Sequence, residues 1–155
     1  MGPDGKTLHI AMPRGYSSSS GYYQYTINPP VVGTLVDVYR MYSPVTEGYL
    51  YTADANEYQF LTTAAGWRGD GKVYWALTSP GSIDAVPTTP YFRLFSPPLR
   101  RHFWTTDLNE YTVLGDRDWL KDGVAWHMST RATDTSTPLF RLYSNTFKKH
   151  FIPSG

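Results

Sequence analysis

The chain has 155 residues, enough for one domain with a buried core, and its 14 Lys and Arg nearly balance its 13 Asp and Glu, for a formal net charge of +1. This balance gives no strong positive field, so neither nucleic acid nor an acidic membrane surface is an expected partner. The absence of cysteine excludes disulfides, thiol catalysis and cysteine-based zinc sites.

Neither a signal-peptide pattern nor a run of eighteen apolar residues occurs, so we expect no membrane insertion. A cytoplasmic protein and a mature or excised extracellular module both have this pattern, which leaves the compartment open. Aromatic residues make up 16% of the chain, and 13 residues are Tyr. Because Tyr combines a large contact area with a polar tip, this composition suits both the rim of a β core and a binding surface.

In chain order, the first 30 residues predict two strands around a loop. Residues 7–12 alternate apolar with polar or small side chains, which is typical of a strand. Residues 14–21 contain four consecutive Ser and predict a flexible loop. The Tyr-rich run 22–27 predicts a second strand, which Pro29 and Pro30 end.

From residue 38 onward the chain is an internal repeat. A run of the form aromatic-Arg-apolar-aromatic occurs three times, at residues 39–42, 92–95 and 140–143. Each run is followed by a short loop signal and then by a second β-prone run, at residues 49–52, 102–105 and 150–152. This order predicts three β-hairpins.

A motif of the form Thr-x-Asp-x-Asn-Glu-Tyr follows the first two hairpins, at residues 52–58 and again, displaced by 53 positions, at residues 105–111. Its Asp and Glu lie three positions apart, the spacing at which an N-cap side chain and an N3 carboxylate satisfy each other's backbone N–H groups. We therefore predict that each motif begins a short helix of one or two turns. A Trp and a Gly turn then lead into a third strand in both copies.

These features divide a single domain, residues 1–155, into three units of similar length. Unit 1 is residues 38–90, unit 2 is residues 91–138, and unit 3 joins residues 139–155 to residues 1–37. A unit of this size buries its apolar face only against its neighbours, and closure of the ring would remove exposed strand edges. We predict an all-β, closed pseudo-threefold assembly of the β-trefoil type, with one or two short helical turns.

No nucleophile elbow, phosphate-binding loop, dinucleotide fingerprint or His-Glu-x-x-His pattern occurs in the sequence. Paired carboxylates do recur, as Asp54 with Glu57 and Asp107 with Glu110, but helix capping explains their spacing better than acid–base catalysis does. We therefore predict no catalytic residue and no cofactor, and we expect that the protein is not an enzyme.

His102 and His150 occupy the position that Tyr49 has in unit 1, so a threefold metal site would lack one ligand there and we predict no metal. A histidine packed on its own hairpin and a histidine that contacts a ligand both fit this pattern. The recurring Arg40, Arg93 and Arg141 are solvated or paired with the acidic residues of the capping turns, and a ligand-binding role ranks after both.

The tryptophans fall into two groups. Recurrence after the motif and on the third strand favours core or inter-unit packing for four of them, Trp67, Trp119, Trp75 and Trp126. Trp104 stands where unit 1 has Tyr51 and is a candidate for an exposed surface, with a buried position as the alternative. Aromatic faces stack on the C–H surfaces of sugars while Asp, Asn and Arg bind the hydroxyl groups, so sugar sites combine these residue types.

The pattern Phe-Arg-Leu-Tyr, His-Phe-aromatic-Thr-Thr, Asn-Glu-Tyr, Trp and Asp-Gly-Val-Ala-Trp resembles a repeat family of unknown function. That family is found in bacterial and fungal secreted proteins, often attached to lysozyme-like and other cell-wall hydrolases. The resemblance covers residues 38–155, is best in unit 2, and departs from the family pattern at Tyr49, where the family has His. It implies a non-catalytic module that holds glycans. In size and predicted fold the chain also resembles the small fungal β-trefoil lectins.

The leading hypothesis is a carbohydrate-binding module or lectin with several weak, quasi-equivalent glycan sites, whose partners are glycans or cell-wall polysaccharide. The predicted carbohydrate-binding residues are Tyr49, Asp54, Asn56, His102, Trp104, Asp107, Asn109 and His150. One alternative is a β-trefoil protease inhibitor that acts through the loop 14–21, with Arg14 as its specificity residue. Another is a non-catalytic subunit of a larger enzyme. The identity of the sugar, the number of working sites and the oligomeric state stay open.

Overall fold

The computed structural model describes residues 31–134, 136–145 and 149–152, of which 149–151 are described as backbone only. The strands of unit 1 and its N-terminal flank are β1 (Val31–Val32), β2 (Leu35–Ser43), β3 (Gly48–Thr52), β4 (Arg68–Leu77), β5 (Ser82–Ile83). Those of the rest of the chain are β6 (Val86–Ser96), β7 (Arg101–Thr105), β8 (Leu120–Ser129), β9 (Leu142–Ser144), β10 (Lys149–Phe151). Two helices accompany them, α1 (Ala55–Ala64) and α2 (Leu108–Gly115).

Eight of these strands form one antiparallel sheet, with the order β1-β5-β6-β8-β4-β2-β3 and with β7 also paired to β6. Units 1 and 2 therefore lie side by side, joined where Leu77 of β4 pairs with His127 of β8. The strands β9 and β10 of unit 3 form a separate two-stranded sheet. The mostly β prediction with two short helices is confirmed.

The closed β-trefoil assembly is not confirmed, because the described strands form an open sheet whose order runs from β1 to β3 without returning. One residue pair, Leu77 with His127, joins the third strands of units 1 and 2. The two strands predicted within residues 1–30, and the loop 14–21, lie outside the described residues.

The three hairpins share one register of backbone pairing. In each hairpin the last aromatic residue of the first run pairs with the first residue of the second run, as Tyr42 with Tyr49, Phe95 with His102 and Tyr143 with His150. The positions that the sequence treats as equivalent are therefore equivalent in the fold.

Both helices begin as the motif predicts. The Asp54 side chain caps α1 by accepting hydrogen bonds from the backbone N–H groups of Asn56 (2.8 Å) and Glu57 (3.3 Å). Asp107 caps α2 in the same way. Helix α1 has 10 residues and α2 has 8, so α1 reaches almost three turns rather than the two that we expected. Neither described helix has the length and apolar character needed to span a membrane.

The Glu of the motif has a different role from the one that the sequence predicts. The backbone N–H of Asp54 donates to Thr52 Oγ1 (3.0 Å), not to a Glu57 oxygen, and Thr105 accepts from Asp107 in the same way. The Thr that opens the motif therefore completes the cap, and the Glu carboxylate stays available for another partner.

That partner is the recurring arginine of the next unit. Arg93 of unit 2 donates from Nη1 and Nη2 to the two carboxylate oxygens of Glu57 in unit 1, at 2.8 and 3.2 Å. Arg141 of unit 3 makes the same two-pronged contact with Glu110 of unit 2, at 3.2 and 3.2 Å. Pairing between these arginines and the acidic residues of the capping turns is thereby confirmed, and it runs between units.

Each arginine of units 1 and 2 also binds an aspartate of its own unit. The backbone bulges where Arg93 pairs with Gly123, which has a φ of +88°, a conformation that favours glycine. The preceding Asp122 accepts from Arg93 Nε at 2.9 Å, and Asp70 accepts from Arg40 Nε at 2.6 Å. The Asp-Gly dipeptide within the third strand therefore holds the arginine of its own unit, and in unit 2 this is the arginine that binds the previous unit.

Burial raises the cost of separating these charges. The side chains of Arg93 and Glu57 retain only 19% and 27% of their exposure. Burial alone would raise the pKa of Glu57, but hydrogen bonds from Arg93 and Thr52 outweigh it and hold the pKa below its usual value. The pair is thus a two-pronged, half-buried contact across the joint between units.

An aromatic core lies beneath this joint. Trp126 is 1% exposed and contacts the rings of Tyr91 (5.5 Å) and Tyr74 (6.0 Å). Trp75, predicted to be its counterpart, is 42% exposed. The prediction for Trp75 is wrong because Tyr74, opposite Val38, holds the position that Trp126 holds in unit 2, and neighbouring strand residues face opposite sides of the sheet.

We predict that Arg93→Met lowers the free energy of unfolding by about 2 kcal/mol, because it leaves the carboxylates of Glu57 and Asp122 half-buried without their cation. Urea unfolding followed by circular dichroism measures the change. Lys72→Met is the control, since it removes the exposed partner of Asp37 and is expected to cause no measurable loss. Equal losses in the two variants would contradict a special role for the inter-unit pair.

Candidate functional site

The three hairpins converge on a cleft of about 270 Å³, which we call the three-hairpin cleft. Each unit contributes residues to it, among them Tyr49 and Tyr51 from unit 1, His102 and Trp104 from unit 2, and Tyr143 from unit 3. Since residues far apart in sequence line one concave surface, this cleft is the candidate functional site.

The cleft separates the predicted site residues into two groups. Tyr49, His102 and Trp104 line it, whereas the other described members of the set lie at the N-termini of the helices: Asp54, Asn56, Asp107 and Asn109. The side chain of His150 lies outside the description, although its backbone pairs opposite Tyr143. The predicted residues on the hairpins therefore line one cleft, whereas those at the helix N-termini do not line it.

Tyr49 offers the most accessible ring of the three. It is 43% exposed, and its ring is held by the Arg40 guanidinium at 5.1 Å and by the Tyr42 ring at 5.1 Å. Contacts with a cation and with a second ring restrict the motion of the side chain. Tyr49 therefore forms a fixed, partly open aromatic surface at the edge of the cleft.

Trp104 is buried, with 6% exposure, so the prediction of an exposed ring is wrong. It pairs opposite Arg93, as Tyr51 pairs opposite Arg40, and the two equivalent rings meet edge to face at 5.7 Å. The Tyr51 hydroxyl donates to the carbonyl oxygen of Ile152, which ties unit 1 to unit 3. Trp104 is consequently part of the wall of the cleft.

The indole N–H of Trp104 has no hydrogen-bond partner among the described residues. A buried N–H donor without an acceptor costs free energy, typically about 1–3 kcal/mol. A ligand oxygen or a water molecule that reached Trp104 would recover this cost. Tyr74 and Trp126 each carry a further unpartnered donor in the same aromatic core.

His102 is neutral at physiological pH. Burial lowers its pKa from the usual 6.5 to about 4, and the positive charge of Arg93 contributes to the same shift. Its ring lies between Phe95 (4.8 Å) and Trp104 (5.9 Å). Although Nε2 is 3.9 Å from Asp122 Oδ2, the neutral ring makes no ion pair there. His102 therefore presents one N–H donor and one nitrogen acceptor.

Several lining residues were missed or assigned elsewhere by the sequence analysis. Trp67 and Trp119, which the sequence analysis assigned to packing, are half-buried and also line the cleft. Arg100 and Arg101 line it as well. Their adjacency to His102 in the sequence was the available signal, because neighbours of a hairpin site residue share its loop.

A larger, open cleft of about 1100 Å³ lies beside unit 2 and contains Asp107 and Glu110. Both carboxylates already have partners, since Asp107 caps α2 and Glu110 binds Arg141. Among the described residues, no group of three or more His, Asp or Glu side chains is placed to hold a metal ion.

A family model described as "Domain of unknown function (DUF5648)" matches residues 37–154. The chain belongs to this family. The predicted membership of a family of unknown function is thereby confirmed. The match spans all three hairpins and both helices of the DUF5648 domain, and so includes the three-hairpin cleft. No curated protein and no solved structure matches the chain.

We predict that the protein loses about 1–2 kcal/mol of unfolding free energy between pH 7 and pH 5 because of His102. The folded-state pKa of about 4 lies below the unfolded value of 6.5, so the unfolded chain binds the proton first and stability falls with falling pH. In His102→Tyr, which carries the residue of unit 1, this loss is expected to shrink by more than half. Urea unfolding at pH 7, 6 and 5 measures it.

Glu57 does not obscure this test, because its lowered pKa removes stability only at more acidic pH, below its usual value of 4.5. The other histidines are unchanged in the variant. If His102→Tyr lost as much stability between pH 7 and pH 5 as the parent protein does, the buried neutral state of His102 would be wrong.

We also predict that Asp54→Ala lowers the unfolding free energy by about 1 kcal/mol, since it removes the N-cap of α1. Asp54→Asn is the matched control, because Asn caps as well as Asp does, and it is expected to retain most of the stability. Thermal unfolding compares the three proteins. A loss in Asp54→Asn equal to that in Asp54→Ala would show that the charge, and not the cap, is what matters.

Proposed function

We propose that this protein is a non-catalytic module that binds glycans in the three-hairpin cleft. The observation that carries the proposal is the convergence of the predicted Tyr49, His102 and Trp104 on one cleft from different units of the repeat. Aromatic walls with a few polar groups are the usual composition of sugar sites.

The proposed contacts are of two kinds: stacking on an aromatic ring and hydrogen bonds to sugar hydroxyls. Tyr49, held by Arg40 and Tyr42, offers the exposed part of its ring to the C–H side of a sugar. The neutral His102 both donates hydrogen bonds to sugar hydroxyls and accepts hydrogen bonds from them. The indole N–H of Trp104 is a further donor that has no partner among the described residues. A hydroxyl bound at Trp104 would satisfy a donor that is otherwise buried without an acceptor.

The volume of the cleft sets the scale of the ligand. About 270 Å³ lies just below the range of drug-sized pockets, and it suits one or two sugar residues. Because the equivalent positions of the three hairpins meet here, we propose one shared central site in place of several separate ones. Affinity for a single site of this size is expected to be weak, and attachment to a polymer would rest on several copies acting together.

The absence of catalysis is part of the proposal and has its own support. The carboxylates that recur in the motif have structural roles. Asp54 and Asp107 cap the helices. Glu57 and Glu110 form ion pairs with the arginines of the following units. The resemblance to repeats attached to cell-wall hydrolases makes cell-wall polysaccharide the preferred partner. The likeness to fungal β-trefoil lectins adds nothing here, because the described sheet is open.

We predict that Tyr49→Ala weakens glycan binding by about tenfold, since it removes an aromatic surface of the cleft. A glycan array identifies the bound sugars, and titration calorimetry with the strongest of them measures the affinity. Phe60→Ala is the control: Phe60 lies on α1, is 64% exposed and does not line the cleft, so its loss is expected to leave affinity unchanged.

Two outcomes would count against the proposal. The first is an array with no bound glycan, neutral or acidic. The second is binding that Tyr49→Ala and Phe60→Ala alter equally, which would place the glycan away from the three-hairpin cleft.

A further inference from the structure

We infer that residues 4–12 of this chain dock beside β9 and supply the third strand of unit 3. This inference goes beyond the proposed function and does not depend on it. Residues 4–12 lie outside the described part of the chain, whereas the surface that would receive them lies within it. Units 1 and 2 define the position, because their first strands, β2 and β6, each pair with a second and a third strand of their own unit.

The first strand of unit 3 has only one of these two neighbours among the described residues. β9 pairs with β10, and the two form a sheet of their own. In unit 2 the third strand pairs with residues 88–95, but the equivalent residues of unit 3, 136–143, are a strand only from Leu142 onward. An edge of this kind readily pairs with another strand. The side of β9 away from β10 is therefore a docking position for a strand.

The first run of unit 3 also exposes apolar side chains that the repeat elsewhere covers. Leu142 is 46% exposed, whereas its equivalents Met41 and Leu94 are both 0% exposed. Phe140, two positions earlier, is 65% exposed. The same repeat position is thus covered in units 1 and 2 and uncovered in unit 3, which indicates that a covering element belongs here.

Arg141 indicates what that element carries. In units 1 and 2 the arginine Nε donates to an aspartate of the third strand, Asp70 at 2.6 Å and Asp122 at 2.9 Å. Arg141 donates from Nη1 and Nη2 to Glu110 and from Nη1 to the carbonyl of Trp104. Its Nε has no partner in the described part of the chain. The docking strand should therefore bring an aspartate to this nitrogen.

Residues 4–12 have the sequence of such a strand. Asp4-Gly5-Lys6 repeats the tripeptide at residues 70–72 of β4, and its first two residues recur at residues 122–123 of β8. Residues 7–12 then alternate apolar with polar or small side chains, as a strand does. Asp4 is the one acidic residue in residues 1–30, so this stretch can offer Arg141 no other carboxylate.

The repeat predicts the register of the added strand. In units 1 and 2 the recurring arginine pairs opposite the glycine of the Asp-Gly dipeptide, as Arg40 with Gly71 and Arg93 with Gly123. The aromatic residue before the arginine pairs opposite the residue after that glycine, as Tyr39 with Lys72 and Phe92 with Val124. The same register places Gly5 opposite Arg141 and Lys6 opposite Phe140.

The connection to the described chain allows this position. Residues 13–30 lead to β1, and 18 residues span roughly 60 Å when extended. A folded domain of this length is only about 40 Å across, so reach does not limit docking. A tethered strand also has a higher effective concentration than the same strand of a second molecule. We therefore assign the position to the chain's own segment.

The absence of cysteine from the chain allows a direct test by disulfide formation. Lys6→Cys and Phe140→Cys are introduced together into the full chain. Directly opposite residues of antiparallel strands have Cα atoms about 4.5–5.5 Å apart, within the range that a disulfide spans. We expect a mild oxidant to crosslink most molecules within one chain. Mass spectrometry of the digested, non-reduced protein identifies the linked peptides.

Thr26→Cys with Phe140→Cys is the matched control, because Thr26 lies in the other strand predicted within residues 1–30. A cysteine that is tethered but not paired meets its partner only through chain motion, so this pair is expected to crosslink about tenfold more slowly. Circular dichroism of both reduced variants checks that each is folded.

A second measurement tests the contact with Arg141. Asp4→Asn is expected to lower the melting temperature by about 3 °C, because it removes the charge proposed to bind Nε. Asp134→Asn makes the same change at an exposed residue for which the structure shows no ion pair, and it is expected to leave the melting temperature unchanged.

Four results would overturn the inference. They are equal crosslinking rates for the two cysteine pairs, no crosslink in a folded Lys6→Cys and Phe140→Cys variant, equal melting temperatures for Asp4→Asn and Asp134→Asn, and crosslinks mainly between chains. The last of these would assign the position beside β9 to a second copy. None of these results bears on glycan binding, which calorimetry measures separately.

Discussion

The contact on which the rest of this structure depends is the two-pronged ion pair between the arginine of one unit and the motif glutamate of the unit before it. Arg93 reaches Glu57, and Arg141 reaches Glu110. A flat antiparallel array would be free to slide or splay at a joint that contains one residue pair, Leu77 with His127. Guanidinium and carboxylate groups bind each other in a narrow range of geometries, so the pair sets how neighbouring units sit.

The other residues of the motif position the glutamate for that contact. The opening Thr accepts the backbone N–H that the Glu would otherwise bind, and the Asp caps the helix on which the Glu lies. The final Tyr of each motif stacks on the first aromatic residue of its own unit, Tyr58 on Tyr39 at 4.7 Å and Tyr111 on Phe92 at 4.5 Å. Cap, stack and ion pair together explain why these residue types recur at fixed spacing.

The same joint produces the cleft. Once Arg93 and Arg141 fix the order of the units, the residues beside them in the hairpins, Tyr51, Trp104 and their neighbours, meet at the centre. The positions that differ most among the hairpins, Tyr49, His102 and the Arg100–Arg101 pair, then lie around one opening. A repeat that is uniform in its joints and variable at its hairpin tips can hold a shared framework while the lining of its cleft changes.

The sequence alone determined what is local: three hairpins, two capped helices and a third strand in units 1 and 2, because turn residues, alternation and capping spacing act within a few positions of each other. It also grouped Tyr49, His102 and His150, since backbone register follows the repeat. Only the tertiary structure decided what depends on contacts between units. The open sheet, the burial of Trp104, the exposure of Trp75 and the use of Glu57 as an inter-unit partner all follow from how strands of different units face each other. No local pattern encodes that arrangement, because side-chain direction on a strand changes with a shift of one residue, and the partner that fixes it lies tens of residues away.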